Sequence, residues 1–272
     1  MTELQDILKH WADVSWVQST DSTNGQLLQL ARQPWRKQDW PRLLGADRQS
    51  QGRGRAGRPW LNETGQTLMF SCGFLVDQTP RELVGLAPAL GLVTCQTLRE
   101  FAQTHQAQDT QRLTMKWPND LMLDDGKLAG ILVESRIRGS RTLIVIGMGL
   151  NLTHGQHVGQ QLNRTVGDWN SFVPGFTQHA DLVATVAQSW QKTVQVFDSS
   201  HLRDLVHSHR NLDYLFGKAV NIIQNDQILM SGTACGWSDD GRLSIRSDQS
   251  DAVMHHITVG DISVRPSMGL SS

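Results

Sequence analysis

The residues best suited to chemistry lie in Gly52-Arg53-Gly54-Arg55-Ala56-Gly57-Arg58, where three glycines let a backbone approach a ligand and three arginines offer planar, permanently charged forks. Such a loop suits phosphate and carboxylate groups. A solvated basic turn or a small nucleic-acid patch would have the same composition, so the loop alone does not decide. Its spacing also satisfies G-x-G-x-x-G, but Pro59-Trp60-Leu61-Asn62 stands where a dinucleotide-binding helix should begin, which excludes that fold. Lys116-Trp117-Pro118-Asn119-Asp120 sets a cation before a proline-restricted turn, followed by an amide and a carboxylate. Asn119 and Asp120 are oxygen donors of the kind Mg²⁺ accepts, although an Asx turn with a packed Trp117 would use the same residues.

Three further segments supply polar groups at element ends. Lys127 opens the otherwise apolar run Leu128-Ala129-Gly130-Ile131-Leu132-Val133-Glu134, and Gly130 leaves room for a ligand against the backbone. A lysine there could neutralise an entering carboxylate or simply reach to water. Gly147-Met148-Gly149-Leu150-Asn151 ends the next strand in a similar way. Asp21-Ser22-Thr23-Asn24 has the composition of a helix N-terminus, and the same hydroxyls and amide could bind a polar heterocycle.

The elements that must hold these residues follow from periodicity. Leu4, Ile7, Leu8 and Trp11 mark a short helix, and Leu27, Leu28, Leu30 and Ala31 mark a second. Strands are expected at 42–46 and 67–76 on either side of the Gly/Arg loop, and a long helix over 81–105 carries Pro88 as a kink. Three more strands are expected at 112–116, 127–138 and 141–152, the last two joined by a Gly139-Ser140 hairpin. Residues 154–178 are polar and Gly-rich, and helices follow at 182–197 and 202–215. Beyond Phe216, short strands at 219–223, 243–245 and 262–264 separated by Asn225-Asp226 and Asp239-Asp240-Gly241 turns suggest a small barrel.

Bulk properties exclude several classes. The chain has 272 residues, 39% of them hydrophobic, and a formal net charge of -1, so no broad field draws it to nucleic acid or an anionic membrane. The apolar stretch from Leu83 to Cys95 is far below the roughly 20 residues of a bilayer span, and Met1 to Trp11 lacks the pattern of a signal peptide. Cys72, Cys95 and Cys235 are scattered and unpaired in spacing, which fits a reducing, cytoplasmic setting without a zinc site.

Taken in order, Asp21-Ser22-Thr23-Asn24, the stretch from Gln49 to Trp60, Lys116-Trp117-Pro118-Asn119-Asp120 and Lys127 to Glu134 resemble biotin protein ligases, and Gly260-Asp261-Ile262-Ser263-Val264-Arg265 is similar to that family's closing barrel strand. The resemblance implies an α+β fold: a biotin/lipoyl ligase catalytic domain over 1–213, laid out like class II tRNA synthetases, and an SH3-like barrel over 214–272. It implies ATP-dependent activation of biotin to its adenylate and transfer to a lysine of a biotin carboxyl carrier protein, with Mg²⁺ as cofactor. Arg55, Lys127 and Lys116 would be catalytic. Ser22, Thr23, Asn24, Gln49, Gly52, Arg53, Gly54, Arg55, Lys127 and Gly130 would bind biotin. Arg53, Arg55, Arg58, Trp60, Lys116, Asn119, Lys127 and Asn151 would bind ATP or the adenylate, with Asn119 and Asp120 near the metal. Ala56 stands where the family commonly has arginine. About twenty residues precede Asp21, too few for the DNA-binding domain of some members, so no DNA partner is expected. The family leaves monomer and homodimer both open. A lipoate or octanoate ligase on the same fold, a non-catalytic biotin or adenylate sensor, and a small nucleic-acid-binding protein using the Arg loop and the barrel are the competing readings.

Overall fold

Residues 2–162, 164–248, 253–260 and 263–266 are described by a computed structural model; Asp261 and Ile262, and with them part of the expected final strand, lie outside the described residues. In chain order the elements are α1 (Thr2–Ile7), β1 (Asp13–Val17), α2 (Thr23–Gln29), β2 (Arg42–Ala46), β3 (Thr67–Val76), α3 (Leu86–Thr104), β4 (Leu113–Lys116), β5 (Asp120–Leu123), β6 (Gly126–Arg138) and β7 (Arg141–Asn151). There follow α4 (Gly155–Leu162), α5 (Trp169–Phe172), α6 (His179–Val196), α7 (Ser199–Ser208), β8 (Ala219–Gln224), β9 (Gln227–Trp237), β10 (Leu243–Ser247), β11 (Met254–Ile257) and β12 (Ser263–Pro266).

The first sheet has seven strands in the order β1-β2-β3-β7-β6-β5-β4, parallel only between β1 and β2. One face is apolar because alternate residues of the long strands, including Phe70, Cys72, Ile146, Met148, Leu121 and Ala129, turn toward α3 and α6. There Phe70 stacks on Trp190 at 5.3 Å, and the Trp190 indole donates to Thr94 Oγ1 at 2.8 Å. The other face is partly covered by α2, through Leu27 and Leu28 against Leu143 and Val145. Glycines on both faces let neighbours lean on the backbone, Gly45 beside Phe70 on the first face and Gly73 beside Val145 on the second. A Cβ on Gly45 would lie 2.0 Å from the Trp16 ring, and one on Gly73 would lie 2.4 Å from Trp40.

The second sheet is antiparallel, in the order β11-β10-β9-β8-β12, around Leu215, Val220, Ile222, Leu243 and Ile245. Trp117 leaves the first sheet to complete this second core, donating its indole N–H to the Gly241 carbonyl at 3.0 Å. The two units also join where Tyr214 N donates to the Met115 carbonyl.

Several expectations shift. The long helix begins at Leu86, after a left-handed Gly85 at φ 85, and Pro88 therefore sits in the first turn, where its missing N–H costs nothing and no kink is needed. The polar segment after His154 contains α4 and α5 and buries Trp169, Phe172 and Val173 under α3. The last expected helix ends at Ser208, followed by a 3-10 turn over Arg210–Leu212. Strands β1, β5, β9 and β11 were hidden by short length or mixed polarity. Among the described residues no helix is long and apolar enough to cross a membrane.

Two outcomes test this architecture. Gly45→Ala should destabilise the chain by about 1–3 kcal/mol through overlap with Trp16, read as a lower urea midpoint with unchanged slope; an unchanged midpoint would show that the ring can move. Asp213, at the junction of the two sheets, has its carboxyl pushed up to about 6, chiefly by burial, against the opposing N–H bonds of Leu215 and Phe216. A carboxyl raised in the folded state takes up a proton on folding, so its contribution favours the native state most below its unfolded value and declines until pH passes about 6. Asp213→Asn should remove that acid-side decline in melting temperature, and an identical pH slope in the two proteins would refute the assignment.

Candidate active site

Sheet register gathers the site. On β4 and β5, Lys116 lies opposite Asp120; on β5 and β6, Asp120 lies opposite Gly130; on β6 and β7, Gly130 lies opposite Gly149 and Leu132 opposite Gly147; on β7 and β3, Gly147 lies opposite Ser71. Paired residues share a face, so this register sets a row from Lys116 to Ser71 on the face away from α3 and α6. Lys127 would fall on the wrong face by alternation. A bulge corrects this: Leu121 pairs with Ala129 while the next residue, Met122, pairs with Lys127, leaving Leu128 extra and turning Lys127 to the Gly130 side.

The row floors a cavity of about 690 Å³. Toward β3 its wall is polar and hydrogen-bonded. Ser22 caps α2, accepting from Gly25 N at 3.2 Å, which fixes the next two side chains. Thr23 N donates to Gln49 Oε1 at 2.8 Å, the hydroxyls of Thr23 and Ser71 lie 2.7 Å apart, and Ser71 donates to Asn24 Oδ1 at 2.6 Å. Asn24 Nδ2 in turn donates to Glu134 Oε2 at 2.9 Å, and Glu134 Oε1 pairs with Arg53 at 3.2 Å. This chain ties the helix cap, two strands and the Gly/Arg loop together. Asn24 sits over Gly147 because a Cβ there would lie 2.3 Å from its Oδ1.

The Gly/Arg loop closes on itself, with Gly54 N donating to the Arg58 carbonyl at 2.7 Å and Trp60 N to that of Gly52 at 2.8 Å. Ala56 takes a left-handed φ of 52 at its exposed tip. The return strand lays the Trp60 indole over Gly130 and Gly149, and a Cβ on Gly149 would lie 2.4 Å from that ring. Lys127 Nζ stands 5.2 Å from the centre of the ring and 2.6 Å from Asp120 Oδ1. Arg55 reaches Asn119 Oδ1 at 3.3 Å and the Gly260 carbonyl of the second sheet unit at 2.5 Å, so the loop is bolted to both units.

Toward β4 the wall is cationic. Arg53, Arg55, Arg58, Lys116, Lys127, Arg164 and Arg265 line the cavity, and Asp120 is the one carboxylate among its described lining residues. Burial lowers the Lys116 pKa; Asp120 opposes this, while Lys127, Arg265 and Arg164 add repulsion. An anion in this end would relieve both effects. Polar groups at one end, an apolar indole and glycine floor in the middle and a cation cluster at the other suit a ligand with a polar head, an apolar stem and a polyanionic tail.

Of the residues singled out from sequence, Ser22, Thr23, Asn24, Gln49, Arg53, Gly54, Arg55, Arg58, Trp60, Lys116, Asn119, Asp120, Lys127 and Gly130 line this one cavity. Gly52 lies behind it, its missing Cβ leaving room for the Trp60 carbonyl at 3.2 Å. Asn151 is not among the lining residues: its buried amide donates to the carbonyls of Lys127 and Gly167 and so holds backbone instead of facing a ligand. Sequence reasoning missed Ser71, Glu134 as a partner of Arg53, Arg164 and Arg265. Only Glu134 carried a signal, as an acid ending an apolar strand. Among the described residues no three His, Cys, Asp or Glu side chains cluster as metal ligands.

Comparison with known proteins accords with this geometry. Residues 16–151 match the model of the biotin/lipoate A/B protein ligase family, and residues 215–265 match that of the biotin protein ligase C-terminal domain. The bifunctional ligase/repressor BirA of Salmonella typhimurium is 29% identical over 81% of this chain, which spans 65% of that protein's length. The biotin–[acetyl-CoA-carboxylase] ligase of Paracoccus denitrificans is 32% identical, covering 68% of this chain and 75% of its own. A biotin protein ligase from Aquifex aeolicus, solved in complex with biotin and ATP, superposes with a TM-score of 0.73 at 23% identity, over 94% of this chain and 99% of that one, and so shares the fold. With more than one family model and a well-covered relative in agreement, the chain belongs to the biotin/lipoate A/B protein ligase family.

Proposed function

We propose that the chain is a biotin protein ligase, which activates the carboxylate of biotin with ATP and passes the biotinyl group to a lysine of a biotin carboxyl carrier protein. The observation that carries this reading is the single cavity that runs from the Thr23–Ser71–Asn24 hydrogen-bond chain, across the Trp60 indole, to the cations around Lys116. We assign residues 1–213 to catalysis and 214–272 to the barrel, with Trp117 and Arg55 crossing between them.

In this reading the ureido head of biotin meets Ser22, Thr23, Asn24 and Gln49, and its apolar stem lies between Trp60 and the glycine floor. Buried polar partners of this kind reject an acid that lacks the matching groups, which favours biotin over lipoate or octanoate. The carboxylate then lies near Lys127, whose ammonium offsets its repulsion with the nucleotide. A carboxylate oxygen attacks the α-phosphorus, the bond to the bridging oxygen breaks, and pyrophosphate leaves. Arg53 and Arg55 hold the loop over the resulting mixed anhydride and keep water from it. A neutral acceptor amine attacks its acyl carbon, AMP departs, and the proton lost from nitrogen passes to solvent. Asp120 and Asn119 present a carboxylate and an amide oxygen beside the cationic side chains around Lys116, the sparse donor set Mg²⁺ uses when nucleotide and water supply its other ligands. When bound there it would neutralise phosphate charge.

Incubation of the chain with biotin, ATP, Mg²⁺ and a purified biotin carboxyl carrier domain should add one biotinyl unit to the intact mass of the acceptor, and none when the acceptor lysine is replaced. Arg55→Ala and Lys127→Ala should cut biotin-dependent pyrophosphate release by about 100-fold or more while leaving the melting temperature within a few degrees. Normal turnover in either variant would remove that residue from the mechanism. Because Glu134 holds both Asn24 and Arg53, Glu134→Ala should raise KM for biotin roughly ten-fold, and Glu134→Gln should recover part of the loss. An unchanged KM in Glu134→Ala would mean that the polar chain does not organise the biotin end.

A further inference from the structure

Arg164 has no role in the steps above, yet it lines the cationic end of the cavity together with Lys116 and Arg265. Its side chain is exposed, and among the described residues nothing hydrogen-bonds or ion-pairs with it. Folding therefore gains little from a guanidinium at this position.

Its backbone, by contrast, is closely held. Arg164 N donates to the Gly159 carbonyl at 3.1 Å, and a Cβ on Gly159 would lie 2.8 Å from the Arg164 carbonyl oxygen. Lys127 N donates to the Thr165 carbonyl at 3.3 Å, and Gly167 N donates to that of Lys127 at 3.1 Å. Gly126 permits this pairing, since a Cβ there would lie 2.6 Å from Gly167 N. The Asn151 amide donates to the same Lys127 carbonyl and also to that of Gly167. Asp168 completes the clamp by accepting from Gly155 N at 3.0 Å and from Ser171 N at 2.8 Å, joining the starts of α4 and α5. The segment after β7 is thus stapled to the strand that presents Lys127, and Arg164 keeps a set place beside the cation cluster.

A guanidinium fork aimed at a cavity end with one carboxylate and many cations is built for a bidentate anion. Resting on the ligase reading, we propose that Arg164 is a phosphate-binding residue that takes the outer phosphates of the nucleotide and the pyrophosphate that leaves. Arg164 lies close enough to Lys116 to repel its ammonium, which sets it at the cationic end of the cavity and not at the biotin end.

Calorimetric titration of the full chain with inorganic pyrophosphate, for the native protein, Arg164→Ala and Arg164→Lys, tests this directly. Loss of the charged fork should weaken pyrophosphate binding and raise KM for ATP by roughly ten- to a hundred-fold, with biotin binding in the absence of nucleotide unchanged, and lysine should restore part of the affinity. Equal pyrophosphate affinity in the native protein and Arg164→Ala would overturn the proposal. So would an equal loss of biotin binding, which would mark a structural role. If pyrophosphate binding weakens in Arg164→Ala but the native protein releases no pyrophosphate from ATP and biotin, the phosphate role stands and the ligase reading falls.

Discussion

The register of β4, β5, β6, β7 and β3 is the constraint on which the remaining arrangement depends, because a slip of one residue would move every side chain of a strand to the opposite face. Both faces penalise such a slip. Phe70, Met148, Ile146 and Ala129 would leave the core under α3 and α6, and Ser71, Gly147, Gly149 and Gly130 would vanish from the floor of the cavity. Burial of the apolar face, about 25 cal/mol per Å² of apolar area removed from water, therefore also fixes the chemistry on the other face. The bulge at Leu128 is the one register shift among the paired strands of this first sheet, and it serves Lys127.

The two ends of the cavity are stabilised in opposite ways. At the β3 end every polar group has a partner, from Gln49 through Thr23, Ser71 and Asn24 to Glu134 and Arg53, so the pocket is preorganised before a ligand arrives. At the β4 end cations repel one another around Lys116 with Asp120 as partial compensation. A rigid end that recognises a neutral head and an electrostatically unsatisfied end that attracts an anion form a reasonable division of labour for joining an acid to a nucleotide. The Trp60 indole separates the two and keeps the central stretch apolar.

The second sheet unit is coupled to this cavity and not merely appended. Trp117 comes from the segment between Lys116 and Asn119 and fills the core around Leu215 and Ile245, so displacement of that unit would disturb the cation-bearing turn. Arg55 reaches the Gly260 carbonyl from the other side, and Arg265 lines the cavity wall. The buried Asp213 carboxyl lies at the same junction.

Most of the local structure and the identity of the reactive side chains are written in short stretches of sequence. Glycine and arginine in the 52–58 loop, the Ser22 cap and the apolar-rich strands at 67–76 and 141–151 depend on backbone sterics, short-range hydrogen bonds and local composition, which neighbouring residues specify. Which of those residues meet follows from long-range packing alone. Glu134 to Arg53 spans 81 positions and Arg55 to Gly260 spans 205, and no local pattern encodes such pairs. Asn151 has the composition of a ligand contact but holds backbone, because the segment carrying Gly167 packs against it. Arg164 lies in a stretch whose polar composition suggested a loop, and it reaches the cavity only because Gly126 and Gly159 allow that stretch to lie against the backbone beside Lys127. Long-range packing chose the partners; local chemistry had already supplied the groups.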